Sequence, residues 1–258
     1  MSIRNYILAE TNWKHVSKHD YNVVILPWGA TEAHNYHLPY ATDVIQSEYI
    51  SAESARKATD AGARVIVLPA VPFGINTGQL DIKLCININP STQAAIIHDV
   101  AFSLKQEGFN KLVILNSHGG NDFKQILREV QQKIPGFIIC QLNWYKIFNN
   151  NDFFDEPGDH AGEMETCVML NIRPELVLPL SDAGEGKERK MKIKAFREGW
   201  VWTERKWTKI TKDTGVGNPA KATKEKGTKY LEMVTDKIAD FLVEFDKADI
   251  NDMYEELD

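Results

Sequence analysis

The sequence predicts an α/β fold in which a largely parallel sheet is covered by helices on both faces. Two observations support this prediction. Four short runs of β-branched and other apolar residues are typical of fully buried strands, and stretches with helical character separate them along the chain. Strands that alternate with helices favour a parallel sheet, because each parallel connection must cross from one end of the sheet to the other.

The predicted elements follow one another along the whole chain. The predicted strands contain VVILPWG, RVIVLPAV, KLVILN and FIICQL. Residues 74–90 are expected to form an irregular excursion, and Ser91 is expected to cap the helix that follows it. Helices are predicted over residues 43–61, 91–108, 122–133, 161–170 and 219–245.

Length and composition indicate a single globular domain over residues 1–258. Hydrophobic residues make up 43% and charged residues 26% of the chain, which is ordinary for such a domain. The three cysteines, Cys85, Cys140 and Cys167, lie far apart and form no CxxC pair. They are expected to be reduced thiols, as in a cytoplasmic protein.

Hydropathy and net charge over the whole chain give no reason to expect a membrane or nucleic acid as a partner. Its first residues lack the apolar core of a signal peptide, and its longest apolar runs are strand-sized. The formal net charge is −6, which gives no reason to expect nucleic acid as a partner. We therefore expect a cytoplasmic protein that binds neither.

Residues 181–218 form an excursion rich in lysine and tryptophan. Trp200, Trp202 and Trp207 are interleaved with cations there, a pattern also found in platforms for single-stranded nucleic acid. The alternation in W-V-W-T is more typical of a half-buried strand. We therefore predict an amphipathic β-ribbon that packs its aromatic side chains on a neighbouring element.

The loop after the first strand places a carboxylate and an imidazole two residues apart. Glu32 and His34 would point the same way in an extended segment, with His37 further along and Asp43 near the start of the next helix. Open α/β sheets bind ligands at the carboxyl ends of their strands, where this loop should lie. Taken alone, the pattern is also compatible with a surface loop that binds nothing.

The segment after the third strand, NSHGGN, brings His118 to the same edge. Gly119 and Gly120 let the backbone come close to a ligand and turn into the next helix. Free N–H groups at such a turn can stabilise a developing oxyanion, and Gly119 is the candidate donor. A tight turn with a locally bonded His118 is the structural alternative.

A third segment, DHAGEMET, concentrates His160, Glu163 and Glu165. On a helix Glu163 and Glu165 cannot share a face, whereas His160 and Glu163, three residues apart, can. The alternative is a helix whose first turn carries acids because its dipole favours them there. Together the three segments predict a two-metal site, and their donors suit zinc, manganese or iron(II) better than calcium.

These motifs resemble the signature of the creatininase (creatinine amidohydrolase) family. LPWGATEAH with HLPYATD, NSHGGN, DHAGEMET and GVGNPAKATKEKG are similar to four family stretches in the same order, and they span residues 26–227. The resemblance implies a three-layer α/β/α fold. It also implies two divalent metal ions, often zinc or manganese, and a homo-oligomer, often a hexamer.

The resemblance assigns roles to individual residues. His160 matches the histidine that exchanges a proton with the leaving nitrogen. Asp43 would bridge the two metals, and Glu163 is the less favoured alternative to Glu165 as the last ligand. The implied metal ligands are Glu32, His34, Asp43, His118 and Glu165.

Two differences concern the substrate. Gly120 stands where creatininase itself has a glutamate that handles the water; in the family variant with HGGN this carboxylate comes from the HAGExET helix, which here gives the catalytic role to Glu165. Gln79 stands near an expected histidine, and the FPGT turn of the family is missing from the segment 74–89. Because that segment lines the substrate site in the family, the departures argue against creatinine as the substrate.

We predict a hydrolase that cleaves a non-peptide or cyclic amide C–N bond of a small molecule. A hydroxide held by the two metals would attack the carbonyl carbon, and the Gly119 N–H would stabilise the oxyanion with one metal. His160 would protonate the departing nitrogen. The alternatives are a formamide deformylase, a small-peptide hydrolase and a non-catalytic member that only binds a ligand.

Overall fold

A parallel sheet forms the centre of the protein. The computed structural model describes residues 3–156 and 158–256. The strands are β1 Val23–Trp28, β2 Val65–Val67, β3 Lys111–Asn116 and β4 Ile138–Asn143, in the order β2-β1-β3-β4. All of their pairings are parallel, which confirms the predicted sheet. Since β1 and β3 are neighbours, their carboxyl ends and the loops that follow them lie side by side.

Helices connect and flank the strands. Their observed starts differ from the predicted ones by one to five residues. The helices are α1 Trp13–Val16, α2 Thr42–Asp60, α3 Pro90–Gln106, α4 Lys124–Lys133, α5 Glu163–Ile172, α6 Lys194–Arg197, α7 Trp207–Ile210 and α8 Lys224–Lys247.

The observed starts of α3 and α8 differ from the predicted ones for local reasons. Ser91 does not cap α3, because Pro90 already occupies the first turn, where its missing N–H breaks no hydrogen bond. The last helix begins at Lys224 rather than at residue 219. Its cap is Thr223, whose side chain accepts a hydrogen bond from the Lys226 N–H at 3.3 Å.

The two faces of the sheet are covered by separate cores. Val23 and Ile25 of β1 point to one face and pack with residues of α2, α5 and α8. Val24 and Leu26 point to the other face and pack with residues of α3 and α4. This alternation along one strand produces three layers, helices, sheet and helices, and confirms the predicted α/β/α fold.

The excursion over residues 181–218 does not form the predicted β-ribbon. Its regular elements are the single-turn helices α6 and α7, and no strand is assigned to this part of the described chain. Trp200 and Trp202 are 73% and 81% exposed, whereas Trp207 is buried. The prediction was wrong because alternation specifies a half-buried strand only where a neighbouring strand pairs with it.

The three cysteines, Cys85, Cys140 and Cys167, carry free thiols, as expected. Cys167 is buried in the core and the other two are half-buried. Among the described helices, none combines the length and the apolar character that a membrane crossing requires.

Candidate metal centre

Four segments bring ionisable side chains together beyond the carboxyl ends of β1 and β3. The loop after β1 supplies two of them, the first turn of α2 and the loop after β3 supply one each, and the segment 160–165, which leads into α5, supplies two. All but Glu165, which is slightly more exposed, are buried. These side chains are Glu32, His34, Asp43, His118, His160 and Glu165.

Asp43 lies between two histidines and turns one oxygen towards each. Its Oδ1 is 3.1 Å from Nε2 of His34, and its Oδ2 is 3.1 Å from Nδ1 of His118. Oδ2 is fully buried, and its contact with His118 does not have the geometry of a hydrogen bond, so no described residue donates to it. A buried carboxylate oxygen without a donor is costly, and a cation would satisfy it.

The cluster divides into two groups that share Asp43. His34, Asp43 and Glu165 form one group, and Glu32, Asp43 and His118 form the other, with ligand atoms within 4.8 Å of one another in each. Glu32 Oε1 lies 2.8 Å from His118 Nδ1, and Glu165 Oε1 lies 3.9 Å from His34 Nε2. Two groups of three donors around one shared carboxylate can hold two cations.

His160 completes a third group with Glu32 and His34. Its Nδ1 lies 3.7 Å from Glu32 Oε1, and its ring packs 4.9 Å from the Trp207 ring in an edge-on arrangement. His160 therefore faces the same space as the other donors, from the side of the excursion.

Backbone carbonyl oxygens fix the orientation of all three imidazoles. His34 Nδ1 lies 3.1 Å from the oxygen of Glu32, His118 Nε2 lies 2.9 Å from that of Ile75, and His160 Nε2 lies 2.8 Å from that of Ala33. Each carbonyl accepts an N–H, so the other nitrogen of each ring can offer a lone pair to the cluster. Metal-binding histidines are commonly held in this way.

Burial and the neighbouring carboxylates act on the pKa values of the histidines in opposite directions, and the carboxylates have the larger effect. Burial lowers the pKa of His34, but the carboxylates of Asp43, Glu165 and Glu32 outweigh it and raise that pKa to about 10. The pKa of His118 is raised well above its usual value for the same reason. Without cations, protons on these histidines balance the carboxylates, and a bound metal would displace them.

The two glutamates of the cluster titrate differently. Burial raises the pKa of Glu32, but His118 and His160 outweigh burial and bring it below its usual range. For Glu165 burial dominates and the pKa is raised. Glu32 is therefore the more firmly ionised carboxylate of the two.

Glu163 faces away from the cluster. One of its oxygens accepts a 2.7 Å hydrogen bond from the Glu156 N–H, and the other is paired with Lys226. His160 and Glu163 do not share a helix face, because α5 begins only at Glu163 and His160 precedes it. Glu165 points inward, with its Oε2 accepting the Ala161 N–H.

The two glycines after His118 have different environments. A Cβ at Gly120 would collide with the Ile75 carbonyl oxygen and with His118 Nε2, so this backbone has no room for a glutamate there. A Cβ at Gly119 would meet no heavy atom within 4 Å, and Gly119 lines the cavity. A glycine at position 120 is therefore a steric requirement of how His118 is held.

Several residues that support the site were not predicted. Asn116 and Asn121 clamp the NSHGGN turn, with the Asn121 amide donating to Asn116 at 2.9 Å and Asn116 donating to the His118 carbonyl at 2.9 Å. The asparagines at both ends of the NSHGGN motif were the sequence feature that could have indicated this role.

His37 lies outside the cluster. Its Nε2 is 2.8 Å from Thr166 Oγ1, and burial lowers its pKa to about 4.

The cluster forms the floor of a cavity of about 630 Å³. Asn143 and Tyr145 line one wall, and the excursion supplies the rim with Trp202, Arg205 and Trp207. Polar groups dominate the floor, and the exposed indole of Trp202 stands at the mouth.

Comparison with known proteins identifies the family. The family model for creatinine amidohydrolase matches residues 9–242. The chain belongs to the creatininase family. The resemblance seen in the four motifs is thereby confirmed. Creatinine amidohydrolase of Pseudomonas putida is 25% identical over 182 residues, which are 60% of this chain and 66% of that protein. The mycofactocin precursor peptide peptidase of Mycobacterium ulcerans is 24% identical over 227 residues, covering 84% and 83%.

Solved structures of the creatininase family share this fold. A candidate creatinine amidohydrolase from Bacteroides fragilis has a TM-score of 0.92 and 41% identity, with 99% of this chain and 100% of that chain covered. Creatininase solved as a mutant of Zn-Zn type and as a manganese form has a TM-score of 0.74 in each case at 21% identity, covering 94% of this chain and 99% of that one.

Proposed function

We propose that this member of the creatininase family is a metal-dependent amidohydrolase that cleaves a non-peptide or cyclic amide C–N bond of a small molecule. The observation that carries the proposal is the position of Asp43. Its two oxygens face His34 and His118, and each pair is completed by a further carboxylate. Such an arrangement suits a pair of divalent cations at the floor of a cavity.

Glu32, His34, Asp43, His118 and Glu165 would hold the two metals. The unsatisfied Oδ2 of Asp43 and the inward lone pairs of the histidines fit this assignment. Imidazole and carboxylate donors suit zinc and manganese, the metals named for the creatininase structures, and also iron(II). When bound, such cations polarise a carbonyl group and lower the pKa of water.

The chain supplies the remaining chemistry from two positions. The N–H of Gly119 borders open space in the cavity and can donate to the oxygen of a substrate carbonyl as negative charge develops there. His160 donates Nε2–H to Ala33, which leaves Nδ1 facing the cluster, where it can carry a proton to the leaving nitrogen. Trp207 shields that imidazole from the excursion side.

A small-peptide hydrolase is the second candidate. The cavity is large for a single small ring, and the exposed Trp202 at its mouth offers a surface for a longer substrate. The relative named as a peptide peptidase also aligns over more of this chain than creatinine amidohydrolase does. Chemistry at the floor would be the same in both cases, since both reactions cleave an amide.

The test is a substrate panel with the protein loaded with zinc or manganese. Cyclic ureides and other cyclic amides, N-formyl compounds and short peptides are compared, and we expect turnover of a cyclic or non-peptide amide that chelators abolish. A His160→Ala variant should keep its metals and lose turnover. Hydrolysis confined to peptides would support the second candidate. A loaded protein that binds members of the panel without turning any over would contradict both.

A further inference from the structure

Gln79 lies against Glu32 in the wall of the cavity and takes no part in the chemistry proposed above. We propose that Gln79 is a positioning residue that occupies one oxygen of Glu32 and thereby presents the other oxygen alone to the metal centre. The inference rests on the proposed metal centre and concerns a residue at which this chain departs from the family pattern.

The two oxygens of Glu32 have different partners. Oε1 is the oxygen nearest to the histidines, at 2.8 Å from His118 Nδ1, 3.7 Å from His160 Nδ1 and 4.0 Å from His34 Nε2. Oε2 accepts a hydrogen bond from Nε2 of Gln79. Both side chains are buried, Glu32 at 1% and Gln79 at 2% exposure, so solvent does not compete for this bond.

The orientation of the Gln79 amide is fixed by its other end. The Cys85 thiol donates to Gln79 Oε1 at 3.2 Å, and Cys85 Sγ accepts the N–H of Ala33 at 3.2 Å. The bonds therefore close a ring from Glu32 through Gln79 and Cys85 to Ala33, the next residue in the chain. A flipped amide would set two acceptors, the amide oxygen and the carboxylate, against each other.

The position of Gln79 does not depend on Glu32. Gln79 ends the short turn Thr77–Gln79, and a Cβ at Gly78 would collide with the backbone of Arg205, so this turn is packed tightly under the excursion. Thr208 also donates to Asp81 at 2.7 Å. Because the turn is anchored from outside, Gln79 can impose an orientation on the Glu32 carboxylate.

The consequence is that Glu32 can offer the metal centre only Oε1. Replacing Gln79 by leucine, which is similar in size but has no donor, would free Oε2 to turn towards the cluster. Loss of an outer partner of a metal ligand lowers metal affinity by about 10- to 100-fold. We expect this loss at the group that contains Glu32, and much less at the group that contains His34 and Glu165.

The experiment uses Co²⁺ as the probe and needs no substrate. Visible absorption and chelator competition give the coordination and the affinity of each bound ion in the wild type and in Gln79→Leu. Thr235→Val is the control, because Thr235 is also buried and its hydroxyl donates to the Leu231 oxygen within α8, away from the cluster. We expect an altered spectrum and about 10- to 100-fold weaker binding of one ion in Gln79→Leu only.

The Cys85 variants test the same ring without touching Gln79. Cys85→Ser keeps a donor for the amide oxygen and should retain the wild-type spectrum, whereas Cys85→Ala should shift it in the direction of Gln79→Leu. If both Gln79→Leu and Cys85→Ala bind two Co²⁺ ions with wild-type affinity and spectrum, the inference is wrong. If the wild type binds no Co²⁺, the metal centre itself is refuted. If the proteins show the expected Co²⁺ spectra and affinities but the wild type hydrolyses no amide, only the proposed activity is refuted.

Discussion

The carboxyl edge of the sheet and the excursion over residues 181–218 border the same cavity but are built in opposite ways. At the edge, ionisable side chains are buried, and each has a fixed neighbour, such as the backbone oxygens that hold the three imidazoles. In the excursion, Trp207 is buried and contacts such as Arg205 with Asp159 and Thr208 with Asp81 anchor the segment, but Trp200 and Trp202 stand in solvent. The edge is thus preorganised for chemistry, whereas the exposed indoles of the excursion have no fixed partner among the described residues.

The largest loss of activity is expected when Asp43, the carboxylate shared by the two donor groups, is neutralised. Asp43→Asn keeps the size of the side chain and removes the charge between His34 and His118. We expect hydrolysis of the best amide to fall by about a thousandfold or more, since metal catalysis contributes several kcal/mol to the barrier. Steady-state turnover measures this. Activity within about tenfold of the wild type would show that the edge is not the catalytic region.

Substitutions of Glu165 and Glu163 distinguish a metal ligand from a residue that only stabilises the fold. Glu165→Gln removes an inward carboxylate and should weaken metal binding at least about tenfold, because an anionic ligand is lost. Glu163→Gln removes the buried one of the two carboxylates that pair with Lys226, the other being Asp155, and should cost about 1–3 kcal/mol of stability with both metals retained. Metal analysis and thermal unfolding distinguish the two. The reverse pattern would place Glu163, and not Glu165, at the centre.

The stability of the metal-free protein should depend on pH through the protonation of His34. Burial lowers the pKa of His34, but the surrounding carboxylates raise it to about 10, above the 6.5 of an ordinary histidine. The stabilisation from this proton is complete below about pH 6.5 and is lost as the pH rises through about 10, with a slope of at most about 1.4 kcal/mol per unit. Thermal unfolding of the metal-free protein should show this decline.

The matched controls for this pH response are the metal-loaded protein and metal-free His34→Gln. Both should lack the part of the decline that His34 causes, because neither carries a proton on that imidazole. An identical decline in all three proteins would contradict the assignment.

The smallest effect is expected in the excursion. Trp202→Ala should raise KM about fivefold, the equivalent of about 1 kcal/mol for a lost aromatic contact, with metal content and kcat little changed. Trp200→Ala is the control, because Trp200 is similarly exposed but does not line the cavity. A loss of kcat of about a hundredfold in Trp202→Ala would mean that the excursion belongs to the catalytic machinery.

The same contrast explains what could be predicted from the sequence. The residues of the edge could be predicted because each follows a strand or opens a helix, and parallel topology brings such positions together. His118 and the residues of the loop after β1 can be placed at this edge from the sequence, whereas the role of Asp43 as the shared ligand follows only from the resemblance to the family. The layers of helices and sheet follow from the alternation of apolar runs, which is a local signal.

The sequence could not reveal what depends on distant partners. The division of labour between Glu163 and Glu165 depends on Lys226, which is 63 residues after Glu163. The role of Gln79 depends on Glu32, 47 residues before it, and glutamine has no motif of its own. The exposed indole of Trp202 was misassigned because alternation alone does not show whether a strand has a partner.

The central claim is that the carboxyl edge holds two metals around Asp43. Anomalous X-ray diffraction from crystals of the zinc-loaded protein tests it most directly. We expect two anomalous peaks in total, one on each side of Asp43. One should lie beside His34 and Glu165 and the other beside Glu32 and His118. No peak in this region, or a peak beside Glu163 instead, would contradict the account.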